Sequence, residues 1–445
     1  MTEAVVKSVR QAGVVGAGGA GFPTHLKISA AAQTIIVNGA ECEPLLRVDR
    51  QLMARDADRV VRGLEAVMGA TGAEAGIIAL KAKYRDAYDA LKQVIGSKPI
   101  KLFRLGDFFP AGDEQVLVYE ITGRVVPEGG IPLQVGCVVS NVETMVNVAA
   151  AIDGIPVTDT YITVTGEVDR PLTLRLPVGT PVSEALGIAG VKDTRDLTII
   201  NGGPMMGHVL EDLSSPVTKR TKGLIALPSE HPLIRNKTLS IRDIIRRSKS
   251  TCIQCQMCSD MCPRNLLGHR LYPHLIMRGL NHMRAEDDMK TALLCCECGV
   301  CELYACPMLL SPKQVNAALK KEFVKQGLRY DSSGEQKAVS TVRDYRKIPS
   351  QRLVARLGLS RYDIPAPLTD QSHCPQSVCI PLRQHIGAPG VPVVETGQRV
   401  KKGQLIAGVP EGVMGANIHA SVNGTVKKLG EYIEIESDGE RGDEC

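Results

Sequence analysis

Tryptophan is absent, and phenylalanine and tyrosine together supply only 3% of the 445 residues. So few aromatics count against base-stacking or sugar-stacking surfaces. No run approaches the roughly 18 apolar residues of a membrane-spanning helix. The opening MTEAVVKSVRQAG lacks the apolar core of a secretory signal. A net charge of +5 is too mild to imply nucleic acid. The nine histidines form no H-E-x-x-H pair. What remains, 44% apolar and 23% charged, is a globular balance, and the length argues for about three domains.

Cysteine is the outlier. Fourteen are present, in a chain with no export signal, so metal binding or redox work is expected ahead of a disulfide framework. Nine fall between positions 252 and 306. The first group reads Cys252-x2-Cys255-x2-Cys258-x3-Cys262-Pro263, the bacterial ferredoxin run. The second reads Cys295-x2-Cys298-x2-Cys301, with Cys306-Pro307 after four residues instead of three. In such runs three close cysteines hold one [4Fe–4S] cluster and the fourth reaches the other. The implied sets are Cys252, Cys255, Cys258 and Cys306, and Cys262, Cys295, Cys298 and Cys301. Cys296 could replace Cys295, given the extra residue before Cys306. Paired zinc ribbons are the alternative, but they use C-x2-C pairs, not triplets followed by Cys-Pro. Cys137, Cys374, Cys379 and Cys445 have no ligand spacing and read as ordinary thiols.

Residues 14–27, VVGAGGAGFPTHLK, satisfy G-x-G-x-x-G at Gly16, Gly18 and Gly21, with Glu41 about 20 residues on. The context argues against a Rossmann turn, because the preceding residues read as a short amphipathic helix capped at Gly13, not a strand. The small residues still present backbone N–H groups suited to a phosphate, and Lys27 adds a point charge. A strand-like TIIVNGA (34–40) leads into the acidic Glu41-Cys42-Glu43-Pro44.

GAGGAGFPTHLK, NGAECEP and SNVETMVNVA, in that order, resemble the flavin- and NADH-binding subunit of respiratory complex I. With FFPAGDEQVLVYEITGRVVPEGGIPLQVGCVVSNVET, the chain is more similar still to the RnfC-like flavin/iron–sulfur family, and within it to the cobalamin reductases of propanediol-utilising microcompartments. The resemblance implies an FMN cradle. Gly16, Gly18, Gly19 and Gly21 would wrap the flavin, with Lys27 near its polar groups. Asn38 and Glu41 would touch the ribityl chain or ring, and Asn141 and Thr144 the phosphate end. Phe22, Glu43 and Glu114 match positions that meet the nicotinamide nucleotide. Ala17, where complex I carries arginine, and Cys42 inside the acidic motif depart from the pattern and bear on the NADH pose.

Residues 160–226 alternate as short strands around a helix-like SEALGIAG, similar to the β-grasp of the same families. There Met205 and Met206 either fill a core or line a ligand surface. Residues 232–250 read as a basic helix, either a solvated face or a dock for an acidic redox partner. A polar helix is expected after Cys306-Pro307. Residues 378–436, with GQRVKKGQ and HASVNGTV, resemble a lipoyl-type flattened barrel, but the intervening VPEGVMGAN carries no lysine for a prosthetic arm. RnfC itself carries this barrel at its N-terminus; here it closes the chain.

The expected architecture is α/β and multidomain: an FMN/NADH-binding domain over 1–155, a β-grasp domain over 156–230, an α-helical two-[4Fe–4S] ferredoxin-like domain over 231–330, a linker over 331–376 and a barrel-sandwich over 377–445. The resemblance implies NADH as donor, a corrinoid acceptor, an adenosyltransferase or shell proteins as neighbours, and a cytoplasmic setting inside a microcompartment. No D-x-H-x-x-G base-off corrinoid histidine is present. The rival expectations are an RnfC-like subunit serving a protein partner and a relay with no NADH oxidation of its own.

Overall fold

The computed structural model describes residues 2–280, 286–332, 337–369 and 373–439; Cys445 lies outside them. The first unit begins with helix α1 (Thr2–Gln11), closed at Gly13 (φ +66°) as its pattern predicts. There follow α2 (Thr24–Ile28), β1 (Thr34–Gly39), α3 (Val48–Arg55), α4 (Ala57–Thr71), β2 (Ala75–Lys81), α5 (Arg85–Ile95), β3 (Ile100–Leu105), the two-residue β4 (Phe108–Phe109), α6 (Glu114–Thr122), β5 (Cys137–Asn141) and α7 (Val142–Ile152).

The sheet is parallel, in the order β3-β2-β1-β5. Its central strands read as near-continuous apolar runs because both faces are covered. Ile35, Val37, Ile78 and Leu80 face one apolar core, and Ile36, Ala79 and Val139 the other. Helix α4 crosses α7 closely at Gly63, where a Cβ would stand 2.0 Å from the Met145 carbonyl oxygen. The chain runs outward from β1 through β2 to β3, then returns to place β5 on the other flank of β1. The crevice at the carboxyl ends of β1 and β5 is therefore a topological switch point, where open α/β sheets bind ligands. Asn38 and Asn141 are register partners there.

The second unit comprises β6 (Asp159–Gly166), β7 (Leu172–Pro177), α8 (Val182–Ile188), β8 (Leu197–Asn201), β9 (His208–Val209) and β10 (Gly223–Pro228). They form a mixed sheet in the order β7-β6-β10-β8-β9, with α8 packed on its apolar face, the expected β-grasp. The basic stretch is two helices, α9 (Pro232–Lys237) and α10 (Ile241–Thr251), the second capped by Ser240, whose hydroxyl accepts from Asp243 N at 3.1 Å. Short helical turns then carry the cysteines, and a polar helix spans Pro312–Lys325.

Residues 331–376 are more than a connection. Ile348–Pro349 pairs with β4, and a helix at Ser350–Arg356 buries Leu353 and Val354 in the core beside the cysteines. The basic residues of QRLVARLGL mask that apolar pattern. Residues 377–437 close as two facing sheets around their own core. Cys374, expected to be an ordinary thiol, is disulfide-bonded.

Candidate functional site

At the switch point lies a cavity of about 150 Å³, lined by Ala17, Gly18, Asn38, Glu41, Gly112, Asn141 and others. The glycine loop bends over it with Gly18, Gly19 and Gly21 at φ +130°, +55° and +67°. A Cβ on Gly18 or Gly19 would meet nothing within 4 Å, so the loop leaves room for a ligand's groups. The loop is braced from behind. Ala17 N donates to Thr144 Oγ1 at 3.0 Å, and Arg220 Nε to the Gly19 carbonyl at 2.9 Å. Thr144 is thus buried as a support and is not a wall of the cavity.

Asn38 donates from Nδ2 to the Gly112 carbonyl at 2.8 Å. Asn141 caps α7, accepting from Glu143 N at 2.9 Å, and donates to Asp49 Oδ2 at 2.7 Å. The Glu41 carboxylate caps α3 through Asp49 N and Arg50 N. Glu43 turns its carboxylate to the β-grasp domain, accepting from Met205 N and Met206 N at 2.9 Å each. Burial raises its pKa. Phe22 (38% exposed), Lys27 and Glu114 lie outside the cavity, the last two joined at 3.3 Å. The methionine pair splits: Met205 is buried and Met206 exposed.

Sequence reasoning missed two cavity residues. Lys222, from the β-grasp domain, is the one cation among the described wall residues and pairs with buried Glu143, with Asp49 at 4.0 Å. Asp49 has its pKa pushed up to about 7, chiefly by burial, and its Oδ1 has no hydrogen-bond partner. An orphaned buried oxygen, a fixed cation and an open glycine loop at one switch point fit FMN, which brings donors, acceptors and a phosphate. Neither residue carried a local signal: Asp49 lies in the first turn of α3 and Lys222 ahead of a strand of another unit.

The nine clustered cysteines stand around two hollows. Cys252, Cys255, Cys258 and Cys306 line one, with Ile253, Met277 and Leu310. Cys262, Cys295, Cys298 and Cys301 line the other, with Cys296, Gly299 and Lys313. Among the described residues no three His, Cys, Asp or Glu side chains converge on a single-ion point. The thiols ring a space, as a four-iron cube needs and one zinc does not.

Burial and the neighbouring Cys306, Cys252 and Cys255 push the Cys258 thiol up to about 12, and burial and Cys295 raise Cys301. Thiols so crowded ionise together only around a compensating cationic group, which the irons of a cluster provide. Glu297 N donates to Cys295 Sγ and Leu310 N to Cys306 Sγ, both at 3.4 Å, hydrogen bonds of the type that tune such clusters.

Backbone strain marks the same places. Among the described residues the non-glycines with positive φ are Glu41, Leu45, Gln254, Gln256, Glu297 and Leu309. The first two lie in the acidic loop and the other four in the cysteine segments. Such conformations persist where the surroundings over-determine them, commonly at ligand sites.

Comparison with known proteins agrees with this geometry. Residues 9–150 match the Nuo51 FMN-binding domain, 161–209 the SLBB domain, 251–311 the 4Fe-4S dicluster domain and 366–441 the RnfC barrel sandwich hybrid domain. The chain is 46% identical over 426 residues to the cobalamin reductase PduS of Salmonella typhimurium, covering 95% of this chain and 94% of that protein. It is 45% identical to the PduS of Citrobacter freundii, covering 96% and 95%. One component of the Na(+)-translocating ferredoxin:NAD(+) oxidoreductase complex of Acetobacterium woodii is 36% identical, over 59% of this chain and 58% of that one. A crystal structure of NAD+-reducing [NiFe]-hydrogenase in the H2-reduced state shares the fold at TM-score 0.50 and 20% identity, covering 74% of this chain and 63% of that one. Full-length similarity, a flavin crevice and two cysteine-lined hollows make this chain a member of the RnfC-like family of PduS cobalamin reductases.

Proposed function

We propose that the protein is an NADH-dependent oxidoreductase that uses FMN and two [4Fe–4S] clusters to reduce a corrinoid. The observation that carries this reading is the presence in one chain of a switch-point cavity and two separate hollows, lined by four and by five cysteines. FMN, held at the switch-point cavity, would supply the conversion of a two-electron hydride into single electrons, and clusters held by the cysteines would supply single-electron carriers. The corrinoid rests on the similarity to PduS across almost the whole chain.

In this reading the 16–21 loop holds the flavin by its backbone, Asn38, Glu41 and Asn141 fix its orientation, and Lys222 sets a positive charge against it. Thr144 acts indirectly, by holding Ala17 N. Phe22 and Glu114 form the nucleotide's approach, with Lys27 held beside Glu114, while Glu43 is engaged by the Met205 and Met206 amides. Cys252, Cys255, Cys258 and Cys306 hold one cluster, and Cys262, Cys295, Cys298 and Cys301 the other. The expected surroundings are a bacterial microcompartment, with an adenosyltransferase or shell proteins as neighbours, which co-purification checks.

The test is anaerobic purification with iron, sulfide and flavin assays, then addition of NADH and of cob(II)alamin. Flavin with about eight irons, bleached by NADH and reoxidised by the corrinoid, is expected. Bleaching without corrinoid reduction would favour a protein acceptor, and iron without flavin would overturn the dehydrogenase reading.

A further inference from the structure

The two thiol sets stand differently toward the flavin cavity. Gly112 lines that cavity, and the next residue, Asp113, caps α6 through Gln115 N and Val116 N. The same carboxylate takes a two-pronged bond from Arg264, Nη1 to Oδ1 at 2.6 Å and Nη2 to Oδ2 at 2.9 Å. The Arg264 side chain is buried and that of Asp113 mostly so, at 9% and 12% exposure. Arg264 lies two residues after Cys262, a thiol of the inner hollow.

A second strut runs parallel. Glu43 on the cavity wall binds the Met205 amide. The Met205 carbonyl accepts from Lys313 Nζ at 3.3 Å and would stand 3.1 Å from a Cβ on Gly299. Lys313 and Gly299 both line the inner hollow. Cys42, Leu45, Met205, Cys296, Cys298 and Val300 share one apolar core, so the intervening medium is packed protein.

The outer set faces away. Cys255 is exposed, and Ile253 beside it is 61% exposed. A different apolar core joins the sets to each other, with Cys262 and Cys295 packed among the same residues as Cys306 and Cys252. The packing sequence is therefore flavin cavity, inner set, outer set, surface.

Resting on the functional reading above, we propose that electrons enter at the inner set (Cys262, Cys295, Cys298, Cys301) and leave from the outer one (Cys252, Cys255, Cys258, Cys306), and that Arg264, through its fork on Asp113, is a positioning residue for the first transfer. For each NADH oxidised to NAD+ with release of one proton, two electrons pass singly along this path, reducing two cob(II)alamin to cob(I)alamin. Neither Arg264 nor Asp113 needs to exchange a proton.

The test follows flavin and cluster bleaching separately after rapid anaerobic mixing of the whole protein with NADH. Freeze-quenched paramagnetic resonance then assigns which cluster fills. Arg264→Lys keeps the charge and loses the fork. Its flavin phase should stay within about twofold of wild type, while the flavin-to-cluster phase slows by about tenfold or more, as expected when reacting groups lose their placement. Iron, flavin and cluster potentials should be unchanged. Cys255→Ala should leave NADH-driven reduction of the inner cluster at the wild-type rate. Cys298→Ala should slow filling of an outer cluster that dithionite still reduces.

If Cys298→Ala does not assemble, the Cys255→Ala arm decides alone: a slowed first transfer there overturns the order. An Arg264→Lys cluster phase at the wild-type rate overturns the positioning role. A wild-type flavin that NADH does not bleach overturns the functional reading, and this path with it.

Discussion

Replacing Lys222 with methionine removes a charge and leaves a stem of similar length. In the native fold the ammonium faces Glu143, whose side chain is 1% exposed, with Asp49 at 4.0 Å. Removing one partner of a buried pair costs about 3–5 kcal/mol, because the other charge is left uncompensated. Glu143 keeps its bonds from Thr160 Oγ1 at 3.1 Å and Tyr161 N at 3.4 Å, which points to the lower end of that range. At about 2–4 °C per kcal/mol for units of this size, the flavin-side melting midpoint should fall by about 6–12 °C. Scanning calorimetry on flavin-free protein measures it. The double variant K222M/E143Q removes both charges and should return to within about 1 kcal/mol of wild type. FMN affinity should stay depressed in single and double variants alike, because the described cavity wall has lost its one cation. A single variant melting within about 2 °C of wild type, or a double less stable than the single, would refute the reasoning.

Asp49→Asn bears on pH. Its folded pKa, about 7, is above the ordinary 3.8, so its contribution is fully present below pH 3.8 and is lost as pH rises through 7. Urea midpoints across that window should decline with pH in the wild type and less so in the variant. Lys219 has its pKa lowered to about 7 by burial, so its contribution grows as pH rises from 7 toward 10.5; Lys219→Met should flatten that rise in the same titration. Gly63→Ala gains roughly 1 kcal/mol of helix propensity but sets a Cβ 2.0 Å from the Met145 carbonyl oxygen. The clash should win, with a net loss of about 1–3 kcal/mol read by chemical denaturation. Cys295→Ala should lower iron from about eight to about four per chain, whereas Cys296→Ala should leave it unchanged.

The cysteine groups were readable because three of each four sit in a short run, with the Cys-Pro of the other run marking the fourth. The glycine loop and the acidic motif were readable for the same reason. Lys222 and Arg220 were not: each reaches the site from another unit, and no local pattern records which distant loop a basic side chain will meet. Thr144 was legible as part of the site but not its task, since a hydroxyl that braces a loop and one that meets a ligand look alike in sequence. The helix at Ser350–Arg356 escaped because arginines and a glutamine surround its apolar residues, although Leu353 and Val354 are buried.

The C-terminal barrel touches the start of the chain. Asn417 donates from Nδ2 to the Gln11 carbonyl at 3.5 Å, and Lys219 Nζ donates to the carbonyls of Gly13 at 2.8 Å and Asn417 at 3.1 Å. A Cβ on Gly13 would stand 2.1 Å from the Asn417 oxygen, so the first turn is closed tightly against the barrel. The barrel is last in connectivity but next to the first helix in space. A circularly permuted gene, with the barrel encoded first and a linker spanning from its last strand to α1, is expected to rebuild the same contacts.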